Sequence, residues 1–416
     1  MSQKRIVVSF LLFWTMAAGC LAQIYASPYS RYGYGDLQSF TVGKAVSMGG
    51  LAYGMRDGST ITPANPASST AIGQKTFMMD LGVSGMVDCF TTSDAYSSQF
   101  IGNIDYVAFQ FPLAKFAAVS FGVLPYSTVG YDYSASAQYP SYAAADSTIT
   151  ATQSFSGSGG FTEVYLGFSF DIFDRVAVGV QGKYMFGRIN RQRDVSFPGE
   201  SVYYSSTSQT TTMNVSSFLC DFGLQYHQPI GNDELVIGAA YSLALPLNIW
   251  SMTTTVTTAT KTESSNAGFD YPHTVGAGFT YRIGQRWLFG ADYQWQDFAD
   301  ARYAGRTDSL LTRHKIAAGV EYVHDATSKK YIEAMRFRLG MNYANSYAKV
   351  NSHSYSEWAI TAGVGFPMLS SRSTINLHLE YGHRGSIAGT GLLEQYFKFG
   401  VSVSLAETWF VKRKFN

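Results

Sequence analysis

Hydrophobic and polar residues alternate along most of the chain from Phe77 onward. In the first such segment Phe77, Met79 and Leu81 fall on one face, whereas Asp80 and Gly82 fall on the other. A period of two is the signature of a β-strand whose two faces meet different phases. The pattern therefore predicts a chain built mainly of strands.

The same alternation recurs in fourteen segments, and the lengths of their connections differ systematically. The predicted strands are 77–88, 104–112, 116–131, 161–171, 175–189, 214–227, 234–246, 271–283, 287–298, 313–323, 334–346, 355–367, 374–384 and 395–406. Short turns near 112–115, 172–174, 228–233 and 284–286 contrast with long polar loops near 132–160, 190–213 and 247–270. An even strand count with short turns on one side and long loops on the other is typical of an outer-membrane barrel. We therefore expect an all-β fold, a 14-stranded antiparallel transmembrane β-barrel with both termini on the periplasmic side.

Aromatic residues with outward parity cluster near both ends of the predicted strands. At the periplasmic ends these are Phe170, Tyr226, Tyr281, Trp287, Tyr322 and Phe366; at the opposite ends they are Tyr131, Phe186, Trp295, Trp358, Tyr381 and Phe397. Two such girdles mark the interfaces of a membrane barrel. A soluble β-sandwich or propeller could use the same residues as its core, but its outer surface would need more charge than this chain has.

Composition agrees with a membrane barrel. Charged residues make up 14% of the chain and aromatic residues 15%, whereas about 25% of residues are charged in soluble domains. The mean hydropathy is only −0.03, and no later stretch is apolar for long enough to form a helical span. The net charge of +1 gives no reason to expect nucleic acid as a partner.

The N-terminus reads as a secretory signal peptide over residues 1–22. Lys4 and Arg5 precede an apolar run, and a small-residue cleavage site ends at Ala22. The run is too short for a retained membrane helix. Lipoprotein processing at Cys20 is the alternative, and a disulfide between Cys89 and Cys220 stays open.

The stretch 44–67, with the sequence KAVSMGGLAYGMRDGSTITPANPA, lies between the signal peptide and the first strand. It is rich in small residues, and its glycines permit tight backbone paths. The interpretation is an N-terminal plug, or hatch, inside the lumen. The predicted divisions are 23–75 for the plug, 76–410 for the barrel and 411–416 for a periplasmic tail.

With these features in place, the chain resembles the FadL-type outer-membrane transport proteins, which take up long-chain fatty acids and other hydrophobic compounds (TodX-like proteins among them). The matching motifs are Gly-x-Ala-x-x-x-Gly-Gly at 43–50, Arg56-Asp57-Gly58, Asn65-Pro66-Ala67, and a closing segment from Glu380-Tyr381-Gly382-His383-Arg384-Gly385 through Tyr396-Phe397-Lys398 to Trp409-Phe410. The resemblance spans the mature chain and is most specific at Asn65-Pro66-Ala67, just before the first strand.

The resemblance implies a hatch that carries Asn65, Pro66 and Ala67, with Arg56 and Asp57 pairing with inward charges of the wall. It also implies lateral release of ligand through a gap beside an inward-kinked third strand. Three residues there favour a kink, namely Gly122, Pro125 and Gly130, because proline cannot donate to the ladder and glycine bends readily. An ordinary bulge is the alternative. We further hypothesise that the Asn65-Pro66-Ala67 motif locks the hatch beside the third strand near 122–125.

Four basic residues with inward parity are candidate partners for a ligand carboxylate: Lys183, Arg336, Arg338 and Lys398. The alternative is that they pair with inward acidic residues, because buried charges require partners. Six acids have the required parity, namely Asp80, Glu163, Asp221, Asp292, Glu357 and Glu380. Both interpretations stay open at this point.

The expected function is uptake of long-chain fatty acids or other hydrophobic compounds across the outer membrane of a Gram-negative bacterium. The expected partners are a hydrophobic small molecule or fatty acid, outer-membrane lipid, and the barrel assembly machinery for insertion. The alternative is a non-transport barrel that acts as an adaptor in protein secretion or assembly. His378 and Glu380 share an inward strand face, but no nucleophile accompanies them, so no enzyme, cofactor or metal is expected.

Overall fold

The structure, a computed structural model, describes residues 27–140, 148–198, 204–350, 353–368 and 372–408. Its wall consists of fourteen strands. They are β1 (Thr76–Thr91), β2 (Tyr96–Ala114), β3 (Ala117–Pro140), β4 (Thr148–Phe173), β5 (Val176–Ser196), β6 (Thr207–Ile230), β7 (Asp233–Ser242), β8 (Thr274–Ile283), β9 (Trp287–Gln296), β10 (Arg313–Val323), β11 (Arg336–Asn345), β12 (Ser356–Pro367), β13 (Thr374–Ser386) and β14 (Leu392–Thr408).

The strands form a closed antiparallel barrel, as the alternation predicts. Each strand pairs with the next, and β14 returns to β1 over a ladder that runs from Leu393 opposite Thr91 to Thr408 opposite Thr76. Closure removes the free edges that an open sheet would leave in the membrane, except along a short stretch of β2 that β3 does not reach. No helix among the described residues is long and apolar enough to cross a membrane.

The two faces of the wall follow the predicted parity. Phe168 and Val401 point outward and are exposed, whereas Gln181 and Ser402 point inward and are buried. Tyr131 is the exception, because it is buried on the inner side rather than part of the outer girdle. The register of β3 shifts between Pro125 and Ser127, and an extra residue in a strand exchanges the two faces beyond it.

The three predicted long loops are wrong as loops, since most of their residues continue the strands. β3 and β4 remain paired as far as Pro140 and Thr148, and β5 and β6 as far as Val195 and Thr207. The third region forms a hairpin of strands Ile249–Thr257 and Lys261–Asn266, which adds to the edge of β6. Threonine favours strands, and each added rung pairs backbone groups. The result is a six-stranded extracellular extension on one side of the barrel.

The remaining elements are short. They are the 3-10 helices Pro28–Arg31, Gly43–Met48 and Pro66–Ala71, the single helical turns Tyr331–Ala334 and Ile387–Thr390, the strand Asp36–Leu37, and the paired strands Pro246–Leu247 and Phe269–Asp270. All three 3-10 helices lie in residues 27–75. Most side chains of this segment are buried against the inner face of the wall, Met48, Leu51 and Met55 among them.

Candidate functional site

Residues 47–67 run around the inside of the wall from β12 to β5, and inward-facing glycines line their path. A Cβ added to any of these glycines would lie within 3 Å of the segment. The glycines and their neighbours are Gly363 with Ser47, Gly340 and Gly319 with Met48, Gly290 with Leu51, Gly238 with Tyr53, Gly223 with Asn65, and Gly179 with Pro66. Only a wall without side chains at these points admits a backbone so closely. An inward glycine on successive strands is a sequence signal that the alternation pattern alone does not reveal.

Asn65 is fully buried and makes three hydrogen bonds that fix the path of this segment. Its side chain donates to the carbonyl oxygens of Tyr53 (2.9 Å) and Leu224 (3.3 Å) and accepts from the backbone N–H of Ala67 (3.2 Å). The last of these bonds caps the 3-10 helix that follows. The motif therefore contacts β5, β6 and β7. The lock at 122–125 stays a prediction: the three hydrogen bonds of Asn65 go to other residues, while Leu124 packs in one cluster with Ile61 and Ile72 of the N-terminal segment.

Arg56 and Asp57 bind the segment to the wall by charge. Arg56 pairs with Asp171 (3.3 Å), and Asp57 contacts Lys44 and also Arg282 (3.4 Å). Burial alone would raise the pKa of the Asp57 carboxyl, but the two cations outweigh burial and hold that pKa well below its usual range. The carboxyl therefore remains charged inside the lumen.

The four basic residues considered for a ligand carboxylate all have acidic partners. Arg338 and Arg336 contact Glu321 at 2.7 and 3.3 Å, and Lys44 of the hatch joins the same carboxylate at 3.5 Å. The other two pairs are Lys183 with Glu163 (3.3 Å) and Asp221 (2.9 Å), and Lys398 with Asp105 (3.4 Å). The geometry thus agrees with the charge-pairing alternative.

A gap separates β2 from β3 in the extracellular half of the wall. Their ladder ends where Val107 faces Val123, although β3 stays paired with β4 as far as Pro140. Two residues of the predicted kink lie near the end of this ladder. Gly122 lies against the backbone oxygen of Val107, and the register shift in the ladder between β3 and β4 begins at Pro125. A bulge in the ladder between β3 and β4 thus lies close to the point where β2 and β3 part.

The N-terminal segment occupies the edge of β3 that β2 leaves free. Asp36 and Leu37 pair with Thr128 and Ser127. Two further backbone bonds extend this contact, from Gln38 to Tyr126 (2.9 Å) and from Ser27 to Gly130 (2.7 Å). Gly130, the third residue of the predicted kink, thus lies where the N-terminal segment replaces the missing neighbour.

A cavity of about 190 Å³ lies behind the gap. Asp105 and Tyr106 line it from β2, and Pro125 and Tyr126 line it from β3. Charged side chains from other strands complete it, among them Lys315 of β10 and Lys398 of β14. Sequence reasoning missed Lys315, because an inward lysine on a regular strand carries no local signal. Of the four predicted basic residues, Lys398 lines this cavity and Lys183 lines a second cavity of about 30 Å³.

Buried aromatic residues close the extracellular end of the lumen; we call this group the cap. It consists of Tyr34, Phe161, Phe298 and Tyr347, the partly buried Tyr303 that packs against them, and aliphatic neighbours such as Leu310. The rings of Phe298 and Tyr347 lie 4.7 Å apart. Tyr34 accounts for two hydrogen bonds, from its hydroxyl to the Asp270 carbonyl (3.1 Å) and from its N–H to the Tyr347 hydroxyl (3.0 Å). No periodicity in the sequence marks Tyr34, so the alternation pattern does not single it out.

Groups suited to covalent chemistry are not assembled within the described residues. No cluster of His, Cys, Asp and Glu there could hold a metal. His378 is buried, and neither of its ring nitrogens has a hydrogen-bond partner in this part of the chain. Cys89 and Cys220 are both free thiols, so the disulfide left open above does not form. Cys20 lies outside the described residues.

Comparisons with known proteins agree with this architecture. A family model described as BamG matches residues 1–416. No curated protein matches the sequence. Solved structures with the same fold include the toluene transporter TbuX of Ralstonia pickettii (13% identity, 90% of this chain and 100% of that one, TM-score 0.60), the monoaromatic hydrocarbon channel CymD (12%, 90% and 99%, 0.59) and the toluene transporter TodX of Pseudomonas putida (14%, 90% and 100%, 0.57). At these identities the likeness concerns the fold, and these neighbours are transport channels rather than enzymes.

Proposed function

We propose, since this chain belongs to the BamG family of outer-membrane β-barrels, that it serves as a partner-binding barrel in protein secretion or assembly. Its place is the outer membrane of a Gram-negative bacterium. The observation that carries the proposal is the cap, in which Tyr34, Phe161 and Phe298 are each no more than 1% exposed. A lumen closed by such packing holds a fixed shape and does not conduct.

The extracellular extension supplies the surface that a partner would contact. Its six strands stand beyond the apolar band on one side of the barrel, and the hairpin of Ile249–Thr257 and Lys261–Asn266 forms one of its lateral edges. The outermost strand is exposed along its length. Its side chains are polar, which suits a wet protein–protein interface better than contact with lipid.

Purification from native membranes in mild detergent, followed by mass spectrometry of bound proteins and lipids, tests this function. We expect large proteins in fixed ratio to the barrel. A matched pair of variants locates the contact. In one, a two-residue Asn-Gly turn replaces residues 255–262; in the other, the same turn replaces residues 326–330 on the periplasmic side. Loss of partners in the first variant alone supports the proposal. A barrel that carries a stoichiometric hydrophobic ligand and no protein contradicts it.

The second candidate function is uptake of hydrophobic compounds or fatty acids with lateral release, and the coincidence of the gap with the cavity favours it. A ligand would rest among Tyr106, Tyr126 and Lys398 and leave between β2 and β3. An amphipathic carboxylate would compete with Asp105 for Lys398, and Lys315 offers a second cation. This route requires the cap to open and the Asn65 contacts to shift.

Binding of laurate and of toluene to the purified barrel tests the second candidate. A channel should bind one of them, and Lys398→Gln should weaken laurate but not toluene. Asn65→Ala should impair uptake in cells while assembly stays intact. Absence of binding by either compound would exclude this route and leave the partner-binding function.

A further inference from the structure

The stretch 100–105 of β2 presents a strand edge without a backbone partner. On one side it pairs with β1, from Val87 opposite Phe100 to Val83 opposite Ile104. On the other side the ladder with β3 begins only at Val107. Among the residues that the structure describes, no backbone hydrogen bond joins that second side of the stretch to another segment.

This edge lies at the height of the apolar band. Phe100 and Ile104 point outward and are 57% and 46% exposed. Their register partners Val87 and Val83 pair in turn with the outward Phe397 and Val401 of β14. Backbone N–H and C=O groups that face hydrocarbon without partners are costly, and open sheet edges do not occur against lipid. The edge therefore requires a cover.

Among the residues that the structure describes, the chain does not supply that cover. β3 is held away because residues 27–38 occupy its edge, through the pairs Asp36–Thr128 and Leu37–Ser127. Between the described strands the longest segment outside the structure is 141–147, and it connects Pro140 and Thr148, which pair with each other far above the gap. A second chain can supply the cover.

The outer face of the sheet is open beside this edge. A Cβ on Gly102 would meet no atom within 4 Å, so nothing stands over the outer face at the middle of the stretch. Ile101 points inward and is buried, which fixes the register of β2 independently of any partner. The edge is thus held in strand conformation before anything binds, as strand addition requires.

We propose that residues 100–105 of β2 accept an extended strand from a second protein, which pairs with this edge in the gap beside β3. The occupant is a segment of alternating character, with apolar side chains toward the lipid and small or polar ones toward the cavity. The inference rests on the proposed function, because it supposes a protein partner, and it specifies where in the membrane that partner binds.

Photo-crosslinking in native outer membranes tests the site. A photoreactive residue replaces Phe100, Gly102 or Ile104 in the full chain, and the matched control carries it at Gly182. That glycine also has open space around it, but it lies on the fully paired strand β5. We expect adducts from the three test positions on every second residue of one continuous partner segment, which is the spacing of a paired strand. The control should give no protein adduct.

Hydrogen exchange on the unmodified protein provides a second measurement, which does not depend on folding of the variants. In the native complex the amides of 100–105 should exchange as slowly as those of 107–113, and removal of the partner should speed them by about tenfold or more. Rapid exchange of 100–105 in the native complex would overturn the inference. Adducts scattered over unrelated residues, or equal at Gly182, would also overturn it.

The two proposals fail in different ways. If proteins co-purify with the barrel and bind the hairpin of residues 249–266 but never reach 100–105, the strand-addition site is wrong and the partner-binding function stands. If no protein accompanies the barrel at all, both are wrong.

Discussion

The N-terminal segment contacts the barrel in two zones that differ in how they hold. Residues 44–67 form one zone, which we call the ring because it runs around the inside of the wall. There the segment lies directly on glycines of the wall, and buried Lys44 pairs with Glu321. Residues 27–38 form the upper zone, which supplies Tyr34 to the cap and a two-residue strand to the edge of β3. The ring depends on the absence of side chains and on charge, whereas the upper zone depends on aromatic packing. The packing of residues 44–67 is therefore sensitive to a single methyl group added to the wall. The packing of the upper zone is sensitive to the loss of an aromatic side chain or of a backbone pair.

The largest loss of stability is expected when Glu321, which joins residues 44–67 to the wall, is replaced. Glu321→Ala leaves Arg338, Arg336 and Lys44 without their shared carboxylate. Breaking a buried ion cluster in this way should lower the free energy of unfolding by about 3–5 kcal/mol. Urea unfolding of vesicle-inserted protein measures it. The control is Glu263→Ala, which removes an exposed partner of Lys261 and should cost at most about 1 kcal/mol.

A smaller effect is expected from Gly238→Ala. The new Cβ would lie 1.8 Å from the carbonyl oxygen of Tyr53, and backbone on both sides leaves little room to relax. Overpacking of this kind costs about 1–3 kcal/mol. Gly182→Ala is the matched control, since its Cβ meets nothing within 4 Å. Protease sensitivity of residues 44–67 should rise in Gly238→Ala alone; equal behaviour of the two variants would contradict the ring.

Asn65→Ala probes the ring through hydrogen bonds instead of volume. It removes the cap of the 3-10 helix and leaves the carbonyls of Tyr53 and Leu224 with fewer donors. The expected loss of stability is about 1–2 kcal/mol. Asn65→Asp keeps the acceptor for Ala67 and removes the two donated bonds. It should therefore separate capping from the contact with β6 in the same unfolding assay. No change in either variant would mean that these bonds do not hold the ring.

The smallest effect is expected from a single hydroxyl in the cap. Tyr34→Phe keeps the ring packed and removes one hydroxyl, whose hydrogen bond to Asp270 measures 3.1 Å. Its loss should cost about 1 kcal/mol. Tyr34→Ala, which removes the ring as well, should cost about 3–5 kcal/mol. Similar values for the two variants would show that the hydroxyl, rather than aromatic packing, holds the upper zone.

Sequence periodicity was sufficient to predict the wall because a strand with one face in lipid must alternate. The fourteen strands and the outward positions of Phe168 and Val401 follow from that constraint alone. The position of Tyr131 was predicted wrongly, because one extra residue after Pro125 reverses the two faces of the strand. A bulge of this kind has no signature in the periodicity of the sequence. The extracellular extension was also missed, since strands outside the membrane have two polar faces.

The lumen was less predictable because its contacts join residues far apart in sequence. The small residues of 44–67 indicated a plug, but its path depends on glycines spread over seven strands. The position of Asn65 beside β6 could not be read from the motif, and its expected contact at 122–125 stays a prediction. Inward charges indicated pairing, yet the shared role of Glu321 depends on cations from two distant segments, Arg336 and Arg338 of β11 and Lys44 of the N-terminal segment.

Swelling of liposomes that contain the purified barrel tests the central claim, that the N-terminal segment packs the lumen shut. The full chain is compared with a variant that lacks residues 44–67, with arabinose as the solute and strand content checked by circular dichroism. We predict no swelling for the full chain and rapid swelling for the variant, because an unplugged barrel of this strand number is too wide for its own side chains to fill. Rapid arabinose entry through the full chain, or an impermeable barrel after the deletion, would contradict the account.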